Sequence, residues 1–116
     1  MTVVSDSVIA DAQAFATGLF EALAAATGDP PGITRASYGA GEAKAHAILA
    51  EAARGLGMEV SSDAIGTLRM MLPGADRDLP AVAMGSHLDS VPHGGNFDGA
   101  TGVVIGLAIA SALRAA

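Results

Sequence analysis

The chain has 116 residues, enough for one domain with its own core and too few for two of ordinary size. Its formal charge of −6, from six Lys and Arg against twelve Asp and Glu, supplies no basic stripe to grip nucleic acid or anionic lipid, so neither nucleic acid nor membrane is an expected partner. Cysteine is absent, which excludes disulfides and thiolate sites and leaves imidazole and carboxylate as the only ligands for a metal. Abundant alanine with only three Phe and one Tyr means that the core must come from closely approaching helices. The start, Met1 to Asp6, lacks the basic residues and apolar run of an export signal, so a cytoplasmic location is expected.

From about Ser7 to Thr27, Val8, Ala12, Phe15, Leu19 and Leu23 recur three or four apart, which predicts an amphipathic helix capped by Ser5 or Ser7 and stopped by Gly28, Pro30 and Pro31. Pro30 to Ala40 reads as an ordered loop. A second helix runs from Gly41 or Glu42 to about Leu56, with Ala45, Ile48, Leu49, Ala52, Ala53 and Leu56 on its apolar face, and with His46 on the polar side, in solvent. Met58 to Ser61 and Gly66 to Leu72 predict an antiparallel hairpin turning around Asp63 and Ala64. Ala81 to Gly85 has no polar alternation, as expected of a strand covered on both faces in the middle of a sheet. A third helix begins near Gly99, and its apolar residues from Val103 to Leu113 point in every direction, which predicts burial all round. That run is too short to span a bilayer. Met58, Met70, Met71 and Met84 read as core or edge filling.

The chemistry concentrates in Gly85-Ser86-His87-Leu88-Asp89-Ser90-Val91, followed by Gly94-Gly95-Asn96-Phe97-Asp98-Gly99. Side chains of an extended chain repeat every two residues, so Asp89 projects to the same side as His87 and can hold the imidazole's second nitrogen. Asp98, on a glycine-rich loop leading into the third helix, has two oxygens able to bridge a pair of cations. Plainer roles exist for each residue: His87 as a strand-end hydrogen-bonding group, Asp98 as a helix N-cap, Asp89 as a turn carboxylate. His93 reads as a loop residue, and Arg35 and Tyr38 as side chains that pack the loop at the site's rim or reach a substrate.

These motifs, together with Gly32-Ile33-Thr34-Arg35, Gly55-Leu56-Gly57-Met58-Glu59-Val60 and Asp63-Ala64-Ile65-Gly66, resemble the hydantoinase/carbamoylase group of metal-dependent amidohydrolases, which includes N-carbamoyl-L-amino-acid hydrolases, allantoate amidohydrolases and β-ureidopropionases. The resemblance implies an α/β fold: the N-terminal part of an incomplete three-layer α/β/α metallopeptidase-like (phosphorylase/hydrolase-like) domain with a mixed sheet, spanning residues 1–116. It implies His87 and Asp98 as metal ligands, Asp89 as the catalytic-site residue that orients His87, and two divalent ions, zinc, manganese or cobalt. It also implies hydrolysis of a linear amide or N-carbamoyl group on a small molecule. Thr67 and His93 stand where relatives commonly carry Asn. The remaining glutamate and histidine ligands, and the lid and dimerisation domain, fall beyond Ala116 in the family, so the expectation is a chain completed by a C-terminal half or by another copy, and inactive alone. An aminopeptidase or deacylase of the same superfamily, or an inactive self-associating module, are the rival expectations.

Overall fold

A computed structural model describes residues 4–116; Met1 to Val3, half of the segment on which the export reading rests, lie outside the described residues. Helix α1 spans Asp6–Thr27, and the Ser5 hydroxyl accepts the Val8 amide at 3.4 Å as its N-cap. Its Leu19 and Leu23 face inward, as the periodicity predicts. By length and composition α1 could cross a membrane, yet this face forms part of the core while Asp11, Gln13 and Glu21 stand exposed. Pro30 to Ala40 is more ordered than a loop at its start: β1 (Gly28–Asp29) and β2 (Gly32–Ile33) form a short antiparallel ribbon around a cis Pro30–Pro31 bond.

Helix α2 covers Ala40–Gly55 and buries Ala45, Leu49, Ala50 and Ala53. Strands β3 (Glu59–Ser62) and β4 (Leu68–Met71) pair antiparallel, Glu59 opposite Met71, as the predicted hairpin. The turn is held by Asp63, whose carboxylate accepts the Ile65 and Thr67 amides at 3.1 and 2.9 Å and is thereby kept below the usual carboxylate pKa. Helix α3 spans Ala100–Ala115. It packs on α1, and Leu19, Leu23, Leu49, Leu88, Val104 and Leu107 meet in one apolar cluster closed by small alanines.

The α/β class holds, and two of its expected details do not. Ala81 to Gly85 is exposed and forms no strand, with Val82 94% accessible. A strand exists through its ladder, and the two sheets here, β1–β2 and β3–β4, are separate antiparallel pairs that give this segment no neighbour. The segment nevertheless lies along α3. A Cβ on Gly102 would meet Ser86 Cβ at 2.6 Å and one on Gly106 would meet Met84 Cε at 4.0 Å, so the chain crosses α3 over two side-chain-free positions one turn apart. The second detail is α3 itself, which buries Ala100, Val104, Leu107 and Ala110 but exposes Ile105, Ile109 and Leu113. The molecule measures 45 × 35 × 19 Å, and 19 Å is the thickness of two layers of secondary structure, so among the described residues no third layer covers the far face of α3 and residues 81–86. Of the methionines, Met58 and Met70 fill the core's edge as expected, whereas Met71 and Met84 are exposed.

Candidate functional site

Leu88 is the anchor of the site. It is 4% exposed within the core cluster, and the alternation of an extended chain therefore turns His87 and Asp89 outward together. His87 Nδ1 lies 3.0 Å from Asp89 Oδ1 and 3.1 Å from the Asp89 carbonyl oxygen. Both neighbours are acceptors when Asp89 is ionised, so Nδ1 carries the proton and the lone pair is left on Nε2. Asp89 is in turn fixed by the Ser37 hydroxyl, which donates to Oδ2 at 2.6 Å. That bond is the main reason its carboxyl is held below the usual range, with the His87 contact a further one.

Asp98 leads into a tight turn whose next residue, Gly99, lies against His87. The Asp98 carbonyl accepts the Ala100 amide at 2.7 Å across Gly99, whose φ of 69° and ψ of −52° are those of a γ-turn that side-chain-bearing residues rarely adopt. The turn is also crowded: a Cβ on Gly99 would lie 2.5 Å from His87 Nδ1, Cε1 and carbonyl oxygen. The imidazole thus occupies the space that glycine leaves, one residue from Asp98. The Asp98 side chain makes no cap bond to α3, so its N-cap role does not materialise and its carboxylate stands exposed.

Arg35 joins the two halves. Its side chain is fully buried, and the guanidinium donates from Nε to the Leu88 carbonyl at 2.7 Å, from Nη1 to Asn96 Oδ1 at 3.0 Å and from Nη2 to the Asn96 carbonyl at 3.3 Å. Its backbone pairs with Ser90 in both directions, the amide donating to Ser90 Oγ and the carbonyl accepting the Ser90 amide. No carboxylate faces this cation among these contacts. Its surroundings are carbonyls, Asn96 and the Thr27 hydroxyl at the negative end of α1, and burial lowers its pKa from the ordinary guanidinium value. Of the two roles open to Arg35 from sequence, packing the loop is the one the structure shows. Tyr38 is 85% exposed, donates its hydroxyl to the Ile65 carbonyl and ties the loop before α2 to the hairpin turn.

Beside His87 and Asp89 lies a cleft of about 510 Å³ between the Ser37–Gly39 loop, α2 and the β3–β4 hairpin. Glu42 and His46 of α2 line it, Glu42 accepting the Tyr38 amide at 2.5 Å. His46 is therefore half-buried on the cleft wall rather than in open solvent, because the hairpin packs over α2's flank. Helical periodicity alone carried no signal for this placement.

His93 stands apart, with Nδ1 3.0 Å from the Asp29 carbonyl oxygen and 3.4 Å from its Oδ2, and with Thr34 Oγ1 bridging its amide to Asp29. The loop reading holds for it. The Asp29 carbonyl and then its carboxylate raise the imidazole's pKa. A folded pKa above the unfolded one stabilises at pH values below the unfolded pKa, and the contribution disappears as pH rises through the folded value. Urea midpoints measured from about pH 6 to pH 8, around the ordinary histidine range, should fall more steeply for the native chain than for His93→Asn; identical slopes would show the pair to be energetically silent.

An imidazole braced by a carboxylate thus lies against an Asp-Gly turn at a helix start, on an α/β frame. No family model matches the chain. It is 44% identical over 77 residues, 66% of its length, to an N-carbamoyl-L-amino-acid amidohydrolase of Paenarthrobacter aurescens, and covers 19% of that protein. It is 35% identical over 74 residues to a ureidoglycolate hydrolase of Arabidopsis thaliana, covering 16% of it. The crystal structure of a hydantoinase/carbamoylase family amidase from Burkholderia ambifaria superposes with a TM-score of 0.83 at 34% identity over 90% of this chain. Over most of its length the chain is similar to the corresponding part of hydantoinase/carbamoylase family amidases. It spans about a fifth of the length of the curated relatives it matches and 26% of that structural neighbour.

Proposed function

We propose that residues 1–116 serve as the N-terminal part of the catalytic domain of a metal-dependent amidohydrolase, with His87 and Asp98 as its first metal ligands. The substrate class is a ureido acid: N-carbamoyl amino acids and ureidoglycolate, the compounds named for the relatives, share an H₂N–CO–NH group on a carbon next to a carboxylate. Hydrolysis of that group consumes one water and releases ammonia, carbon dioxide and the amine.

The single observation that supports this reading is the His87 ring, with its Nδ1 proton given to Asp89 and the ring lodged against Gly99 beside Asp98. The donor set, one imidazole and one carboxylate, suits a borderline or hard divalent cation such as zinc or manganese. Among the described residues no group of three or more His, Cys, Asp or Glu converges, so these two are part of a ligand set rather than a whole one. When bound, the cation would polarise the carbamoyl oxygen and acidify a water. The chain's own contribution is positional: Ser37 orients Asp89, Asp89 sets the His87 tautomer, and the γ-turn at Gly99 delivers Asp98.

Calorimetric titration of the metal-stripped chain with zinc and manganese tests the assignment. The expected result is 1:1 uptake weakened at least tenfold in both His87→Ala and Asp98→Ala, with helical circular dichroism retained. Equal uptake by either variant would remove these residues as ligands.

A further inference from the structure

We infer that Arg35 is the positioning residue of this site, setting the separation between His87 and Asp98 from beneath. The inference rests on the metal-site reading for what is positioned, and on Arg35's own contacts for how. His87 and Asp98 are eleven positions apart and arrive on two different segments, the 86–90 extension and the 94–99 loop. The described hydrogen bonds put only one side chain on both segments. Arg35 Nε holds the Leu88 carbonyl, one residue from His87, while Nη1 and Nη2 take the side-chain and main-chain oxygens of Asn96, two residues from Asp98. A guanidinium is planar and its donors diverge at fixed angles, so satisfying both acceptor groups defines a distance between them rather than merely an attraction.

The rest of the neighbourhood makes that fork rigid. Arg35 is 0% exposed, its backbone is clamped to Ser90 by two bonds, and Asn96 Nδ2 donates to the Phe20 carbonyl of α1 at 3.0 Å, so neither end of the bridge can swing. A lysine keeps the charge but offers a single donor centre, and cannot hold Leu88 and Asn96 at once in this geometry. Burying a guanidinium among neutral acceptors is costly. A chain that needed only packing here could fill the space with an apolar side chain. What the arginine adds is the defined span between two segments whose outward residues are the metal-ligand pair.

The test compares the native chain with Arg35→Lys and with Asn96→Ala, which cuts only the loop end of the bridge. Two signals are read: cobalt(II) affinity by its visible absorption, and the metal-free NMR contact between the His87 ring and the Gly99 α-proton, which the packing of that ring on Gly99 requires. Both variants are expected to stay helical, to lose the His87–Gly99 contact and to bind cobalt at least tenfold more weakly. A folded variant of either kind that keeps the contact and the native affinity would overturn the inference. If Arg35→Lys fails to fold, Asn96→Ala decides alone. A native chain that shows the contact but takes up no cobalt would sink the metal reading of the previous section, and the Arg35 inference would then stand or fall on the contact in the variants.

Discussion

Gly99→Ala is expected to lower the unfolding free energy by about 2–5 kcal/mol, the sum of forcing a side chain into a positive-φ turn and of overpacking a filled site. Two independent features converge on this residue. Its φ of 69° closes the Asp98–Ala100 turn, and the space where a Cβ would stand is filled by the His87 ring and carbonyl at 2.5 Å. The methyl group cannot be accommodated by a flexible side-chain tip, because the His87 carbonyl is backbone and the imidazole is tied to Asp89. The turn must open or the imidazole must leave, and either movement separates His87 from Asp98. Gly95 is the control: a Cβ there meets nothing within 4 Å and its φ lies outside the left-handed region, so Gly95→Ala should change stability by no more than about 1 kcal/mol. Urea denaturation of the two variants checks the difference. Equal midpoints would mean that the γ-turn relaxes without cost and that the crowding at Gly99 is not structural.

The regular elements were legible because their signals are local. Leu19 and Leu23 in α1, Ala45, Leu49 and Ala53 in α2, and the hairpin around Asp63 follow from spacing and turn chemistry that each segment carries by itself. The same holds for His87 and Asp89, which two-residue alternation alone puts on one side. What was not legible depends on partners distant in sequence. The run Ala81 to Gly85 has a buried strand's composition, but pairing belongs to its neighbours, and none is hydrogen-bonded to it here. α3 reads as buried on all sides, and its Ile105, Ile109 and Leu113 face outward because burial requires a layer that these residues do not themselves provide. Arg35 is the clearest instance. Arginine is among the residues least often fully buried, so nothing in Thr34-Arg35-Ala36 announces a guanidinium reaching Leu88 and Asn96, 53 and 61 positions away.

Leu88→Ala is the second substitution expected to have a large effect, about 2–5 kcal/mol, the range for removing a buried leucine side chain and leaving a cavity. Leu88 is 4% exposed and shares one cluster with Leu23, Leu49, Val104 and Leu107, so all three helices contribute to the pocket it fills. Its functional consequence follows from its neighbours in sequence. Residues 81–87 are exposed and without a sheet partner, so the Leu88 side chain is the buried apolar anchor next to His87, beside the ring's own bond to Asp89 and its packing on Gly99. Removing the side chain leaves the guanidinium bond to the Leu88 carbonyl but frees the alternation that turns His87 and Asp89 outward together. Metal affinity should therefore fall along with stability. Leu88→Met, which keeps the volume, should cost less than about 1.5 kcal/mol and preserve affinity. Thermal unfolding and zinc titration of the pair separate the two effects: loss of stability in Leu88→Ala with zinc affinity unchanged at a temperature where it is folded would show that the core does not hold His87, and that the hydrogen bonds of Arg35 and Asp89 suffice.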